Sequence, residues 1–586
     1  MSLPSGLRQR RAELARATTL AFRVVPELVG ARMRSQESLL HAVYAQSKRR
    51  ASQVALICGD ERCTYGELEA RIERVAAHLE RSGVRQADVV ALLGENSIEY
   101  VTILFALSRL GAAAALPSVE LDGQLLQRAL VTAGCRAVVV APALATRIDA
   151  SFDGACIVYG DEAWRAALAT GAAKPQAPLP TASEADFAYV YSSGTTGLSK
   201  ACRVSHRRAR LSATVFSRLV HGLRASDVLY CPLPLYHASP LLLGLGASMV
   251  AGATFALRTR FSASALLSDI RAYGATVMLY VGELGRAWLS QPTSPEDRKH
   301  TLRVLVGNGM NARVWASLRE RFAIPHVREF YAASEFPGAI VNITNELGSV
   351  GHLPFGRWRG YRLVRVDADT GAVVRDAHGR AIECADDEPG ELLLRLRPSR
   401  ERPTGDYLGY VGESAAGERI VRDVFEPGDV YCRSGDLLRR DRGGHFFFVD
   451  RLGDTFRFKS ENVSTREVED ALAGLPGVNS LVVVGVRLPA FDGKLGLAVL
   501  EATPSFSMAE FAARAAALPR AMRPCFVRVT ERIALTPSLK YKKSAFALQG
   551  VDPSRTADAL YFRDGDEYRR LDVAAFERIQ SGAQRF

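Results

Sequence analysis

The chain has 586 residues, a hydrophobic content of 48% and a mean hydropathy near zero. This composition excludes an intrinsically disordered chain, and the length predicts two or more domains because a single core does not grow this large. Nine cysteines are scattered singly, a pattern that favours reduced thiols over a disulfide framework or a zinc site.

The net charge of +12 is unevenly distributed, since residues 1–50 carry ten Arg or Lys and only three Glu. Apolar residues interleaved with these charges predict one or two helices. A basic amphipathic segment of this kind can lie on an anionic membrane surface. The alternative is a helical extension packed on the body of the protein. Charges before and within the apolar part make the segment a poor signal peptide.

From residue 63 to about residue 345, predicted helices and strands alternate. Residues 88–93 and 137–141 are short apolar runs typical of buried strands, whereas Leu68, Ile72 and Leu79 recur at helical spacing. Residues 99–111 predict a further helix that ends at Gly111. This alternation predicts an α/β fold, with parallel sheets and helices on their faces, for the large N-terminal part of the chain.

The segment Tyr191-Ser-Ser-Gly-Thr-Thr-Gly-Leu-Ser-Lys200 follows a predicted strand at residues 187–191. Its glycines permit the positive φ angles of a tight loop, and its hydroxyls and backbone N–H groups can surround a polyanion beside a lysine charge. The spacing is not that of the P-loop, and the alternative is a flexible Ser/Gly turn. The segment predicts a phosphate site formed by Ser192, Ser193, Gly194, Thr195, Thr196, Gly197 and Lys200.

Residues 241–257 form a stretch of seventeen positions without a charge. This length is at the lower edge of what spans a bilayer, and glycine and alanine dilute its hydrophobicity. The stretch therefore predicts a buried helix followed by a strand rather than a membrane span.

The pattern changes towards the C-terminus. Between residues 353 and 449, strand-like pieces separated by Gly, Pro and Asp turns predict a small antiparallel barrel-like unit. Helices at 465–474 and 508–518 and a strand at 480–486 then predict a small mobile α+β domain. The predicted domains are a basic helical segment (1–50), a large domain (51–451) and a C-terminal lid domain (452–586). Gly453 suits a hinge at this boundary, with a plain turn as the alternative.

Further motifs follow the 191–200 loop, namely Arg260-Phe-Ser-Ala-Ser264, Tyr280-Val-Gly-Glu-Leu284, Gly307-Asn-Gly309, Glu329-Phe-Tyr-Ala-Ala-Ser-Glu335, Ser434-Gly-Asp436, Asp450-Arg-Leu-Gly-Asp-Thr-Phe-Arg457 and Glu461-Asn-Val-Ser-Thr465. In this order, from about residue 50 to the C-terminus, the chain resembles the adenylate-forming (AMP-binding) superfamily. More narrowly, it resembles the fatty acid transport protein / very-long-chain acyl-CoA synthetase family. The resemblance implies that residues 51–451 form an AMP-binding adenylation domain.

The resemblance also implies a nucleotide site at the matching positions. The loop ending at Lys200 would hold the β- and γ-phosphates of ATP, and Ser334 the α-phosphate. Asn308 and Tyr331 would contact the nucleoside, with the ring of Tyr331 against adenine. Glu335 would bind Mg²⁺ through a carboxylate oxygen.

Other family residues match in both halves of the chain. Asp436 would accept hydrogen bonds from the ribose hydroxyls, and Arg451 would contact the ribose or a phosphate. Lys540 matches the adenylation lysine, and the nearby Lys542 and Lys543 are expected to be solvated. His237 is expected to line the acyl or thiol passage, with a satisfied core histidine as the alternative. Residues 280–284 are a candidate wall of the acyl pocket.

Three positions depart from the family pattern. Ser199 stands where proline is usual, which loosens the loop but removes no ligand. Ser334 replaces threonine and keeps the hydroxyl. Ser460 replaces a glycine in the loop that approaches pantetheine, where a Cβ could crowd the tunnel or forbid a positive φ. We therefore expect Ser460 to affect the CoA step more than the adenylation step.

The implied function is ATP-dependent activation of a long- or very-long-chain fatty acid to acyl-AMP, then thioesterification, with ATP, Mg²⁺ and CoA. One alternative is an acyl-AMP ligase that serves a carrier protein, and another is a membrane-associated fatty acid uptake protein with secondary synthetase activity. Nucleic-acid binding is not expected because no recognisable module accompanies the basic excess. The protein is expected in the cytoplasm or peripherally at the inner face of a membrane, and a homodimer is left open.

Overall fold

The computed structural model describes residues 37–180, 184–193, 199–353, 360–367, 370–398, 407–411, 419–458, 461–491, 493–536, 541–584 and 586. The chain divides into two compact units. The first is drawn from Met1–Pro354 and Glu401–Gly417, and the second from Phe355–Arg400 and Glu418–Phe586. The three domains drawn from the sequence stay a prediction.

The first unit contains the predicted alternation of strands and helices. Its strands are β1 (Val54–Cys58), β2 (Glu61–Thr64), β3 (Val89–Leu93), β4 (Ala113–Leu116), β5 (Ala137–Val140), β6 (Ala155–Val158), β7 (Asp186–Ser193), β8 (Ser199–Ser205), β9 (Val228–Cys231), β10 (Thr254–Leu257), β11 (Val277–Val281), β12 (Val304–Asn308), β13 (His326–Ala332), β14 (Ala339–Val341) and β15 (Gly351–His352). Its helices are α1 (Leu39–Arg50), α2 (Tyr65–Arg81), α3 (Ile98–Leu110), α4 (Gly123–Ala133), α5 (Glu162–Thr170), α6 (His206–Val215), α7 (Ala247–Ala251), α8 (Leu266–Tyr273), α9 (Gly282–Leu289) and α10 (Ala312–Phe322). The predicted helix at 99–111 and strands at 88–93 and 137–141 are confirmed to within a residue.

Two sheets organise the first unit. One has the strand order β6-β5-β3-β4-β7-β8 and is parallel except for the edge strand β8. The other has the order β14-β13-β12-β11-β9-β10-β1-β2 and is parallel except for the edge strands β2 and β14. All residues of β5 and β10 are buried, as expected where helices cover both faces of a sheet. The α/β prediction is confirmed.

Local signals set the helix ends. Thr64 and Glu67 form a reciprocal capping box at the start of α2, an arrangement that contributes about 1 kcal/mol. Helix α3 ends at Gly111, whose φ of 73° lies in the left-handed region that glycine adopts without strain. The predicted stop at Gly111 is therefore confirmed.

The structure decides between the alternatives that the sequence left open for two segments. Residues 241–257 run through a π-helical segment (Ser239–Gly246), α7 and β10, and the prediction of a buried helix followed by a strand is confirmed. Within the described ranges, no helix is both long and apolar enough to cross a membrane. Residues 39–50 form α1, which buries Leu39, Leu40 and Val43 against α2 and α7. That part of the basic segment is a packed extension, and residues 1–36 lie outside the described ranges.

The second unit combines an antiparallel sheet with an α+β part. Its strands are β16 (Tyr361–Val364), β17 (Gly390–Arg395), β18 (Ile420–Arg422), β19 (Val430–Arg440), β20 (His445–Arg451), β21 (Phe456–Phe458), β22 (Glu461–Val463), β23 (Val478–Val486), β24 (Leu495–Ala502), β25 (Phe526–Thr530), β26 (Ala559–Asp564) and β27 (Glu567–Arg570). Its helices are α11 (Thr465–Leu472), α12 (Met508–Ala516), α13 (Lys543–Gln549) and α14 (Val573–Gln580). The predicted elements at 465–474, 480–486 and 508–518 are confirmed, with ends shifted by two residues.

The two larger sheets of the second unit bear out the predicted change of architecture. The order β20-β19-β17-β16 is antiparallel, with β18 beside β19. A five-stranded sheet, β23-β24-β25-β26-β27, follows. Gly453 lies in an exposed turn after β20, outside the left-handed region, and a Cβ there would meet nothing within 4 Å. The turn does not require glycine, so the hinge stays a prediction.

Candidate active site

The predicted phosphate loop is a hairpin connection in the first unit. Strand β7 extends two residues beyond the predicted strand end, to Ser193, and β8 returns beside it with Lys200 opposite Ser192. The two strand ends therefore hold one short loop between them. The remaining predicted loop positions lie outside the described residues: Gly194, Thr195, Thr196 and Gly197.

Lys200 is exposed and has an aromatic ring beside its ammonium group. Lys200 Nζ lies 5.2 Å from the ring centroid of Tyr410. The backbone of Tyr410 bridges to Cys202, and Val411 donates its N–H to the carbonyl of Ala201 (2.9 Å). This cation–π contact holds the ammonium group of Lys200 at the start of β8. The sequence pattern did not point to Tyr410 because nothing local connects it to β8.

The turn after β13 carries the predicted Ser334 and Glu335, both half-buried. Cys202 of β8 donates its thiol to the carbonyl of Ser334 (Sγ···O 3.0 Å). Arg208 of α6 donates from its guanidinium to the carbonyl of Phe336 (3.1 Å). Strand β8 and this turn are thereby tied together. Lys200 and the turn with Ser334 and Glu335 thus belong to two segments of the first unit that are in contact.

Asn308 and Tyr331 lie at the ends of adjacent parallel strands, β12 and β13. Carboxyl ends of parallel strands share one edge of the sheet, where ligands commonly bind. Asn308 is half-buried, whereas Tyr331 is 7% exposed and its ring makes a T-shaped contact with Phe336 at 6.2 Å. Little of Tyr331 is accessible, and stacking of adenine on its ring stays a prediction.

A buried carboxylate at the same strands, Glu329, opens one of the sequence motifs, but the sequence analysis assigned it no role. Glu329 is 1% exposed, and it accepts hydrogen bonds from the hydroxyl of Tyr280 (2.7 Å) and the N–H groups of Gly309 (3.0 Å) and Met310 (2.8 Å). It joins β11, β13 and the loop after β12. A charged residue inside an apolar strand was the available signal. The hydroxyl of Tyr280 is engaged here, and the acyl-pocket role of residues 280–284 stays a prediction.

The segment before His237 is held by Asn96, another residue that the sequence reasoning missed. The buried amide of Asn96 donates to the carbonyl of Leu233 (2.9 Å) and accepts the N–H of Leu235 (2.8 Å). His237 itself is half-buried, and its ring lies 4.7 Å from that of Tyr236. Asn96 fixes the backbone leading to His237, whose place along an acyl or thiol passage stays a prediction.

In the second unit, the two residues predicted for the ribose are cross-strand neighbours. Asp436 of β19 lies in register with Arg451 of β20, and Arg451 Nε is 3.9 Å from Asp436 Oδ1. The side chains are 15% and 48% exposed, respectively. A long, exposed ion pair contributes little to stability. The pair therefore costs little to open, and the ribose role of both residues stays a prediction.

Lys540 and Ser460 lie outside the described residues. Lys542 is exposed, as expected, but the expectation that Lys543 is solvated is wrong. Lys543 Nζ lies 2.7 Å from Glu469 Oε1, and its side chain is 22% exposed. Burial raises the pKa of Glu469, and the ammonium of Lys543 opposes that rise. The lysine is drawn inward because it compensates this buried carboxylate.

Among the residues that the structure describes, a metal site built wholly from protein groups is not found. Across the described ranges, no three or more His, Cys, Asp or Glu side chains are arranged to hold a metal ion. Magnesium commonly takes one or two carboxylates and completes its shell with phosphate oxygens and water. The half-buried carboxylate of Glu335, tied to the strand that carries Lys200, fits a site of that kind.

Comparison with known proteins gives consistent relatives. Residues 43–397 match the family of AMP-binding enzymes. Long-chain fatty acid transport protein 2 of Rattus norvegicus is 33% identical over 556 residues, which cover 91% of this chain and 89% of the relative. Medium/long-chain-fatty-acid–CoA ligase FadD6 of Mycobacterium tuberculosis is 35% identical over 548 residues, which cover 92% of this chain and 90% of the relative.

Solved structures share the fold. ATP-bound MatB of Rhodopseudomonas palustris has a TM-score of 0.73 at 21% identity and covers 87% of this chain and 98% of its own. The o-succinylbenzoate CoA synthetase of Bacillus subtilis, solved with an acyl-adenylate, has a TM-score of 0.70 at 23% identity and covers 86% and 97%. At this level of identity the likeness establishes the fold alone.

Proposed function

Because the chain belongs to the AMP-binding enzyme family, we propose that it activates a long- or very-long-chain fatty acid with ATP and Mg²⁺. A carboxylate oxygen of the fatty acid attacks the α-phosphorus, the bond to pyrophosphate breaks, and an acyl-adenylate forms. The CoA thiol then attacks the acyl carbon and loses its proton, and AMP leaves with the shared oxygen. The observation that carries the proposal is the tie between β8, with Lys200, and the turn with Glu335.

Each proposed role follows from the chemistry of the side chain. Lys200 would neutralise phosphate charge, and Glu335 would hold Mg²⁺, which supplies positive charge to the phosphates when bound. Ser334 donates its hydroxyl to the α-phosphate. Asp436 offers two oxygens to the ribose hydroxyls, and Lys540 supplies positive charge to the transferring group. Positioning and charge stabilisation account for most of the rate in phosphoryl chemistry of this kind.

The substrate class is supported by the relatives, whose names refer to long-chain fatty acid transport and to medium- or long-chain fatty acid–CoA ligation. The test is pyrophosphate release from ATP and Mg²⁺ with medium-, long- and very-long-chain fatty acids, followed by CoA addition and AMP detection. The proposal predicts pyrophosphate with the longer chains and acyl-CoA after addition. A folded protein that releases no pyrophosphate with any acid would exclude it.

A second candidate, acyl transfer to a carrier protein, is favoured by Ser460 in place of the usual glycine. Fatty-acid-dependent ATP–pyrophosphate exchange without acyl-CoA formation would support this candidate. Rapid acyl-CoA formation would eliminate it.

We also propose that the protein is cytoplasmic and that residues 1–36 contact an anionic membrane surface. This segment carries seven Arg and two Glu. The packing of α1 confines this role to the residues before it. Co-sedimentation with anionic vesicles, comparing the full chain with one lacking residues 1–36, tests it. Equal binding by both proteins would reject it.

A further inference from the structure

Three strands of the eight-stranded sheet converge on one buried carboxylate, Glu329, the fourth residue of β13. Its Oε1 accepts hydrogen bonds from the hydroxyl of Tyr280 (2.7 Å) and the N–H of Met310 (2.8 Å), and its Oε2 accepts the N–H of Gly309 (3.0 Å). Both oxygens are therefore used as acceptors. Burying a carboxylate is costly unless donors compensate it, and bonds to an ionised acceptor are the strong ones.

The two backbone donors to Glu329 belong to the loop that follows β12. Gly309 follows β12 directly and has a φ of 81°, in the left-handed region. The loop also passes so close to α9 that a Cβ on Gly282 would lie 2.0 Å from the carbonyl oxygen of Gly309. Two consecutive N–H groups fixed by one carboxylate determine the path of the loop.

The same carboxylate lies between two of the residues assigned to the nucleoside. Asn308 immediately precedes Gly309, and Tyr331 comes two residues after Glu329 on β13. A shift of the loop would move Asn308 relative to Tyr331. The spacing between these residues is therefore set in part by the bonds from Glu329 to the loop.

We propose that Glu329 is a positioning residue for the adenine end of the nucleotide, acting through the N–H groups of Gly309 and Met310. It touches no substrate atom in this role. The inference rests on the proposed use of ATP, and it adds that the ionised form of Glu329 is what shapes the purine side of the site.

Glutamine cannot replace this carboxylate. In either orientation of its amide, the NH₂ group of glutamine at position 329 would face a backbone N–H of Gly309 or Met310, donor against donor. Tyr280→Phe is milder because it removes one donor and leaves both backbone bonds in place. Glu73→Gln is the matched control, since Glu73 is also buried and accepts from the hydroxyl of Tyr44 and from Arg109 Nε (3.0 Å).

The experiment is calorimetric titration of the full-length proteins with AMP and, separately, with ribose 5-phosphate, which lacks the base. We expect Glu329→Gln to weaken AMP binding by about 10- to 100-fold, the effect of a lost charged hydrogen bond, and to change ribose 5-phosphate binding by less than about 3-fold. Tyr280→Phe should weaken AMP binding by about 2- to 5-fold, again without affecting the sugar phosphate. Glu73→Gln should bind both ligands as the parent does, even if its melting temperature falls.

Equal losses for AMP and ribose 5-phosphate, or unchanged AMP affinity in a folded Glu329→Gln protein, would overturn the inference. If Glu329→Gln does not fold, unchanged AMP affinity in Tyr280→Phe overturns it. A parent protein that binds no AMP would instead refute the proposed function, so the two failures are distinguishable.

Discussion

The first unit holds its candidate residues through short, partly buried hydrogen bonds, whereas the second holds its own through a long ion pair with a half-exposed arginine. The turn with Glu335 is fixed by Cys202 and Arg208 at 3.0–3.1 Å, but Asp436 and Arg451 are 3.9 Å apart and partly solvated. Fixed groups suit phosphates and metal, where charge develops during the reaction. A loosely paired carboxylate suits a nucleoside that must enter and leave. Variants in both units test this contrast.

The largest effect is expected for Glu335→Gln. We expect fatty-acid-dependent ATP–pyrophosphate exchange to fall by about 100- to 1000-fold, because an amide binds Mg²⁺ far more weakly than a carboxylate and the transition-state charge is left uncompensated. Glu320→Gln, an exposed change on α10, is the control and should stay near the parent rate. Exchange above half of the parent rate in Glu335→Gln would remove this residue from the metal site.

An intermediate effect is expected for Arg208→Gln. The carbonyl of Phe336 loses a charged donor, so the turn shifts and exchange falls by about 10-fold, with a raised Mg²⁺ requirement. The neighbouring Arg207→Gln, which opens a 3.5 Å pair with Glu184, should change neither quantity by more than about 2-fold. Magnesium titrations of both proteins make the comparison. Identical behaviour of the two variants would argue against support of the turn by Arg208.

A smaller effect is expected for Asp436→Asn in the second unit. The amide loses one ribose acceptor, so the KM for ATP should rise by about 5- to 10-fold. The melting temperature should move by less than about 2 °C because the ion pair with Arg451 is long and exposed. A large loss of stability with unchanged KM would show that the pair is structural.

The last prediction concerns the stability of the first unit, whose free energy of unfolding should change little near pH 7 and fall at lower pH. Burial lowers the pKa of His206 and of His221 to about 4, below the usual 6.5. Between these values the unfolded chain binds more protons than the folded one, so the free energy of unfolding falls as pH falls. From pH 7 to pH 5 the loss is roughly 2 kcal/mol per histidine.

The dependence of the free energy of unfolding on pH can be measured by urea denaturation. Tryptophan fluorescence follows the unfolding, since Trp288 and Trp315 are buried in the first unit. His221→Gln should make the free energy of unfolding less dependent on pH, whereas His378→Gln, at an exposed position, should leave this dependence unchanged. In the second unit the sign is reversed for Asp450 and Glu469, because burial raises the pKa of each carboxyl. Their contribution to stability grows as pH falls. A pH-independent first unit would contradict the buried, neutral state of its histidines.

Much of the fold follows from local patterns. The apolar runs of β3 and β5, the stop at Gly111 and the uncharged stretch at 241–257 are each decided by neighbours in sequence, and the predictions held. The supports of the site were not predicted. Asn96, Glu329 and Tyr410 act on partners from other elements, and only the folded topology brings those partners together. The same holds for Lys543, whose burial depends on Glu469.

The central claim, that a fatty acid oxygen attacks the α-phosphorus of ATP, has a direct test in oxygen transfer. Fatty acid labelled with ¹⁸O in its carboxylate is incubated with ATP, Mg²⁺, CoA and the protein, and the products are analysed by mass spectrometry. We predict one labelled oxygen in AMP and none in pyrophosphate. Label in inorganic phosphate or pyrophosphate, or unlabelled AMP beside acyl-CoA, would contradict the acyl-adenylate route.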